Sequence, residues 1–165
     1  MTLRLVIMGV AGCGKSSVGE GLATRMGLTY HDGDDLHPAA NVEKMRAGIP
    51  LSDKDRWPWL DRVAQDLATA APVIIGCSAL KRAYRDRIRT GAGGPVTFVH
   101  LTGSRDLIAA RMARRSGHYM PLSLLDSQFA ALESPDAAEA LSVPIDQPLD
   151  AIISAIAAHV QGQQA

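Results

Sequence analysis

Gly9-Val10-Ala11-Gly12-Cys13-Gly14-Lys15-Ser16 decides how the rest of the chain is read. It has the spacing G-x-x-x-x-G-K-[ST], follows the apolar run Leu3-Arg4-Leu5-Val6-Ile7-Met8, and opens a helical pattern. Each position answers a physical need. The glycines let the backbone turn tightly, so that successive N–H groups converge on phosphate oxygens. The following helix adds its unpaired N–H groups and the positive end of its dipole. Lys15 brings a mobile cation to the β- and γ-phosphates, and the Ser16 hydroxyl is placed to ligate Mg²⁺. Gly9, Val10, Ala11, Gly12, Cys13, Gly14, Lys15, Ser16 and Ser17 are therefore the candidate binding residues for a nucleoside triphosphate.

Working outward, Val18, Leu22 and Met26 recur at every fourth residue, which predicts a helix over 15–26 stopped by Gly27. Leu28-Thr29-Tyr30-His31 reads as a second strand ending in Asp32-Gly33-Asp34, and is expected beside the first. This β-α-β unit calls for a parallel sheet. Residues 35–59 carry much charge and the breakers Pro38, Gly48, Pro50 and Pro58. A short helix near 41–47 and a longer one over about 53–70 are expected, the latter burying Leu60, Val63, Ala64 and Leu67. The insert of about 35–60 suits a substrate-binding flap.

The uniformly apolar Val73-Ile74-Ile75-Gly76-Cys77 reads as a central third strand. A basic helix over 82–89, a strand over 96–101 and a helix capped by Ser104 follow. A loop at 116–121 interrupts helical structure before Leu125, Phe129 and Leu132 resume it. A short strand over 141–145 and a closing helix marked by Leu149, Ile152, Ile153, Ile156 and Val160 complete a five-stranded parallel α/β fold.

Bulk properties bound the function. One domain covering 1–165 is expected at this length, with 47% hydrophobic and 21% charged residues. Seventeen basic and seventeen acidic residues cancel, so no overall field draws the chain to nucleic acid or an anionic membrane. No apolar run is long enough to span a bilayer, and the first apolar run leads straight into the phosphate loop, unlike a signal peptide. Cys13 and Cys77 make neither a disulfide framework nor a metal cluster. A cytoplasmic location is the simplest fit.

Asp32 and Asp34 fall at the carboxyl end of a strand, the edge where α/β sheets place ligands. Two carboxylates there can divide the work, Asp32 toward Mg²⁺ and Asp34 toward the proton of an attacking hydroxyl. A polar turn with an aspartate cap is the plainer alternative. The third strand ends in Gly76-Cys77-Ser78, without the metal-organising aspartate that many P-loop enzymes carry, which shifts that role to Asp32. Lys44, Arg56, Lys81, Arg82 and Arg85 together suit an anionic substrate, since a carboxylate matches a bidentate arginine. Arg111, Arg114 and Arg115 flank the Gly-containing loop, which suggests a lid over about 114–128 that brings positive charge to the transferring phosphoryl group. His37 and His118 sit among loop residues, and neither reads as a core histidine. Trp57 and Trp59 are expected to pack the insert onto the core.

The order of short motifs resembles the gluconate kinases of the thermoresistant type. Beyond the phosphate loop and Asp32-Gly33-Asp34, it includes Leu36-His37-Pro38, Asn41 with Lys44-Met45, Gly48-Ile49-Pro50-Leu51 and the D-x-D-R-x-P-W-L run over 53–60. Cys77-Ser78-Ala79-Leu80-Lys81, Tyr84-Arg85-Asp86, Gly117-His118-Tyr119, Ser127-Gln128-Phe129 and Asp146-Gln147-Pro148 extend it along nearly the whole chain. The resemblance implies ATP- and Mg²⁺-dependent phosphorylation of D-gluconate on its 6-hydroxyl, by a fold of the nucleoside monophosphate kinase type that is usually a homodimer. Carried onto these residues, it makes Lys15, Asp34 and Arg115 catalytic and places Arg111, Gln147 and Pro148 around the adenine. Asp34, His37, Lys44, Arg56, Ser78, Lys81, Arg85 and His118 become candidate gluconate ligands, with Arg56 the preferred carboxylate partner. Two rivals stand beside this reading: a P-loop kinase of another small acid or alcohol such as shikimate, and a nucleotide switch. Against the switch, no D-x-x-G follows a strand and no N-K-x-D motif occurs.

Overall fold

In the computed structural model the described residues are 2–114 and 122–164. Strand β1 (Arg4–Met8) runs through the phosphate loop into helix α1 (Lys15–Met26), and β2 (Thr29–Asp32) follows directly. Helices α2 (Ala39–Arg46) and α3 (Asp53–Ala70) precede β3 (Val73–Gly76), and α4 (Arg82–Gly91) leads to β4 (Thr97–Thr102). Helices α5 (Arg105–Arg114) and α6 (Leu122–Ala131), strand β5 (Ala140–Pro144) and helix α7 (Leu149–Gln164) complete the chain.

The sheet order is β2-β3-β1-β4-β5, and every pairing is parallel. Central β1 sets Val6 against Ile75 on one side and Phe98 on the other. Alternation along the buried strands divides the core in two. Leu5, Ile7, Ile74 and Val99 pack with Leu22, Ile108, Leu125 and Ile156 on the face covered by α1, α5, α6 and α7. Val6, Met8, Val73, Ile75 and Phe98 pack with Leu60, Val63, Leu67, Tyr84 and Ile88 from α3 and α4. Burying side chains of this size contributes about 1.5–3 kcal/mol each. All five strands point their carboxyl ends to one edge, where the site lies.

The expected neighbour relation between β1 and β2 is corrected by this topology, because β3 lies between them. Glycine closes the distance that results. A Cβ on Gly33 would strike the Gly76 carbonyl oxygen, and one on Gly76 would strike the Tyr30 hydroxyl. The strand ends therefore approach closely enough for Asp34 to reach the phosphate-loop side across β3. Pro58 lies inside α3, as the expected span of about 53–70 places it. The helix survives because Ser52 and Asp55 form a reciprocal capping box, with Asp55 N–H to Ser52 Oγ at 3.1 Å and Ser52 N–H to Asp55 Oδ2 at 2.9 Å. Pro58 is exposed, so water can take the carbonyl that the proline leaves without a helical donor. Among the described residues no helix is long and apolar enough to cross a membrane.

Candidate active site

The phosphate loop has the backbone its motif demands. Gly14 holds φ +97° at the start of α1, and Gly12 holds φ +79°. A Cβ on Gly12 would stand 2.6 Å from Met112 Cγ, so α5 packs flush on the loop. Lys15 folds back over its own loop, donating from Nζ to the carbonyls of Gly9 at 3.0 Å and Val10 at 3.1 Å. Gly9 N–H in turn donates to the Ser78 carbonyl at 3.2 Å, which ties the loop to the end of β3. The Cys13 thiol is buried, so this residue offers the site only its backbone.

Ser16 Oγ lies 3.4 Å from the Tyr30 hydroxyl. Gly19 and Gly76 leave the room that the Tyr30 ring fills, and burial pushes its phenol up to about 12. Asp32 accepts the Asp34 N–H at 2.9 Å and so caps the 3-10 turn Gly33–Leu36. The plainer cap role is thus present in Asp32. Burial, offset in part by that hydrogen bond, also raises its carboxyl above the usual range. Among the described residues no group of three or more His, Cys, Asp or Glu could hold a metal ion. A hydroxyl and one nearby carboxylate fit Mg²⁺ bound largely through phosphates and water, and do not fit a closed protein cage.

A cleft of about 110 Å³ opens beside the loop and brings Ala11, Lys15, Asp34, His37, Arg56 and Ser78 onto one surface. The insert supplies one wall through Met45, Ile49, Pro50, Leu51 and Trp59, and α6 supplies the other. Arg56 donates from Nη1 to the Leu51 carbonyl and to the Tyr84 hydroxyl at 3.1 Å, which fixes its fork at the wall. Trp59 is buried and donates its Nε1–H to the Gly33 carbonyl at 2.8 Å, anchoring α3 beneath the aspartate turn.

His37 is buried, contrary to the loop-exposed group expected, and stacks on Trp59 with ring centroids 4.0 Å apart. Its protonation follows from its partners. Asn41 Nδ2 donates to the Asp55 carbonyl at 2.9 Å and lies 3.2 Å from His37 Nδ1. The amide nitrogen can only donate, so Nδ1 accepts and the ring proton sits on Nε2. Burial, with Arg56 nearby, lowers the imidazole from 6.5 to about 4, so His37 is neutral at pH 7. The unfolded chain therefore binds this proton near pH 6.5 while the folded chain does not until about 4. The contribution is present above 6.5 and declines as pH falls through that window. His37→Gln is expected to flatten the fall in Tm between pH 6.5 and 4, and a slope matching wild type in differential scanning calorimetry would remove His37 as its cause.

Other expected ligands are placed elsewhere. Lys44 pairs with Asp55 at 2.8 Å and Lys81 with Asp53 at 3.1 Å, and neither lines the cleft. Asp53 also accepts from Tyr84, and these two donors hold its carboxyl below the usual range, Tyr84 contributing most. Arg85 is corrected from ligand to scaffold. It is 1% exposed and spends all five N–H donors internally. Nε and Nη2 grip Glu139 at 2.9 and 3.1 Å, Nη1 reaches the Ala79 and Leu80 carbonyls, and Nη2 also reaches the Glu133 carbonyl. Glu139 is held down to about 2 by Arg85 above all, with Arg89 assisting. The bond to Ala79 steadies a residue at φ +46°, a left-handed conformation costing roughly 1–2 kcal/mol for a non-glycine residue.

Of the residues expected around the adenine, Arg111 donates from Nη2 to the Ile145 carbonyl at 2.6 Å, and Gln147 Nε2 donates to the Pro144 carbonyl at 2.7 Å. Arg111, Gln147 and Pro148 therefore gather around the turn after β5. Arg115 and His118 lie outside the described residues, as does the 115–121 part of the expected lid. The residues that sequence reasoning passed over are Asn41, Asp53, Tyr84 and Gln128. All four stood in the motif series with no role; Tyr84 meets Asp53 across 31 positions and Gln128 meets Ala11 across 117, whereas Asn41 holds His37 only four positions away.

A family model described as AAA domain matches residues 5–135. The chain is 44% identical over 164 residues to a gluconokinase of Gluconobacter oxydans (strain 621H), covering 96% of this chain and 92% of that one. It is 42% identical over 156 residues to the thermoresistant gluconokinase of Escherichia coli (strain K12), covering 90% and 88%. A solved gluconokinase from Sinorhizobium meliloti 1021 superposes with a TM-score of 0.87 at 44% identity, covering 99% of this chain and 98% of that one. With the phosphate loop, the aspartate turn and the cationic cleft all in place, this chain belongs to the gluconokinase family.

Proposed function

We propose that the chain transfers the γ-phosphoryl group of ATP to the 6-hydroxyl of D-gluconate. The observation that carries this is the shared cleft: the inner edge of the phosphate loop, the Asp34 carboxylate and the Arg56 guanidinium face one small cavity. A triphosphate laid along 9–17 ends where Lys15 and Ala11 meet that cavity. Gluconate would enter from the insert side, its carboxylate on Arg56 and its far hydroxyl toward Asp34. Such a pose places nucleophile and phosphorus on one line and removes most of the entropic cost of their meeting.

Lys15 would exchange its loop carbonyls for the β- and γ-oxygens and stabilise the charge that grows there. Asp34 would accept or orient the proton of the attacking hydroxyl. Ser16 and Asp32 would hold Mg²⁺, which when bound neutralises phosphate charge. His37 offers a neutral Nε2–H to a sugar hydroxyl, and Ser78 offers its own hydroxyl nearby. Arg111, Gln147 and Pro148 would border the adenine, and Arg115 and His118 would arrive with the lid. Lys44 and Lys81 would act at longer range, held by Asp55 and Asp53. A homodimer working in the cytoplasm belongs to the same proposal and rests on the family resemblance.

A coupled assay for ADP release tests the reading. Gluconate should stimulate release at least tenfold over ATP alone, while shikimate and nucleoside monophosphates should not. Equal stimulation by shikimate would support the rival acid kinase, and no stimulation by any acceptor would support the switch.

A further inference from the structure

The C-terminal part of helix α6 and the residue just beyond it are bound to two loops at the strand ends. Gln128 Oε1 accepts the Ala11 N–H at 2.7 Å, across 117 positions of sequence. Two residues past the helix, Glu133 N–H donates to the Leu80 carbonyl at 2.8 Å, and Glu133 Oε1 accepts the Arg82 N–H at 2.9 Å. The Ser78 carbonyl then takes the Gly9 N–H, which closes a ring of contacts around the cleft. Leu124, Ser127 and Gln128 are themselves part of the cleft wall. Within the expected lid, Leu124, Ser127 and Gln128 thus stand against the cleft.

The Ala11 N–H is a single donor, and in a phosphate loop such donors are what a phosphate oxygen seeks. Ala11 and Lys15 both face the acceptor cleft, so they stand at the end of the loop where a γ-phosphate meets gluconate. Lys15 and Ala11 each spend their polar groups on internal partners there, Lys15 on carbonyls and Ala11 on Gln128. An arriving γ-oxygen that takes the Ala11 N–H must displace the Gln128 carbonyl oxygen. The amide would then be released into the cavity that holds the acceptor.

The geometry points to Gln128 as the positioning residue that links the two substrate sites, tightening gluconate binding when a triphosphate occupies the loop. This rests on the gluconate reading above. A diphosphate lacks the displacing group and should leave the link unused. Because coupling between sites is reciprocal, it is measurable from the gluconate side alone.

The test is isothermal calorimetry of gluconate binding to the full chain saturated with MgADP or with a non-hydrolysable MgATP analogue. In wild type the analogue is expected to tighten gluconate about tenfold relative to MgADP. Gln128→Met keeps the side-chain length and loses the acceptor, and should bring that ratio within twofold of one. Gln128→Glu keeps an acceptor for Ala11 but sets like charge beside phosphate and gluconate, and should turn the ratio below one. A packing role alone would lower Tm and leave the ratio intact. Ratios equal in wild type and both variants, or a wild-type ratio of one, overturn the link while leaving gluconate as substrate. No gluconate heat in wild type under either condition overturns both.

Discussion

Lys15→Ala is expected to fold normally and to lose on the order of 10²-fold or more of kcat, about 2.7 kcal/mol of transition-state stabilisation. The fold should survive because, among the described residues, the hydrogen bonds of Nζ go to the Gly9 and Val10 carbonyls and none of the ion pairs involves Lys15. The loop keeps its own supports, Gly9 N–H on Ser78 and Ala11 N–H on Gln128. What disappears is a mobile cation whose resting partners are weak acceptors, so it is readily recruited by phosphate oxygens. Steady-state kinetics beside a thermal melt would check this. A folded mutant with near-normal turnover would take the transition-state role away from Lys15.

The same contrast between local and distant partners explains what the sequence revealed. The path from β1 through the phosphate loop into α1 is written within 26 residues, and its motif carries its own geometry. The span of α3 was equally plain, since Ser52 and Asp55 cap it from three residues apart. The place of Asp32 and Asp34 at a strand end was also legible. The strand order was hidden, because nothing in β2 says that β3 will enter between it and β1. Arg85 shows the limit most clearly. Its residue type and its place after Cys77-Ser78-Ala79-Leu80-Lys81 fit a substrate ligand, but Glu139 lies 54 positions away and takes its charge into the core. A buried pair of this kind cannot lose one member cheaply, since the remaining charge would be unpaired in a poorly solvated place. Lys81 and Asp53 repeat the lesson at the surface, where charge that reads as a ligand is spent on the packing of α3 against the β3–α4 loop. Cationic residue type thus pointed to the neighbourhood of the cleft, and tertiary structure sets Arg56 on its wall while carboxylates hold Lys44, Lys81 and Arg85.

Asp34→Asn should lower kcat by on the order of 10²- to 10⁴-fold, the range of general-base catalysis, while the dissociation constant for MgATP changes less than about threefold. The substitution is nearly isosteric, and both recorded backbone bonds of Asp34 remain available: its N–H to Asp32 Oδ1 and its carbonyl from the His37 N–H at 3.3 Å. The turn that carries the residue is also pinned from below by Trp59 through the Gly33 carbonyl. The change therefore removes a proton acceptor at the cleft wall without disturbing what positions it. Asp32 cannot substitute easily, because its Oδ1 is occupied in capping the turn. Nucleotide affinity is the measurement that separates the two carboxylates. If Asp34→Asn chiefly weakened MgATP binding and kcat at saturation stayed near wild type, Asp34 would be a nucleotide-side group. Asp32→Asn supplies the opposite arm: with the Mg²⁺ role proposed for Asp32, it should shift the Mg²⁺ concentration needed for nucleotide binding more than Asp34→Asn does. Two aspartates separated by one glycine would then be distinguished by which substrate each one loses.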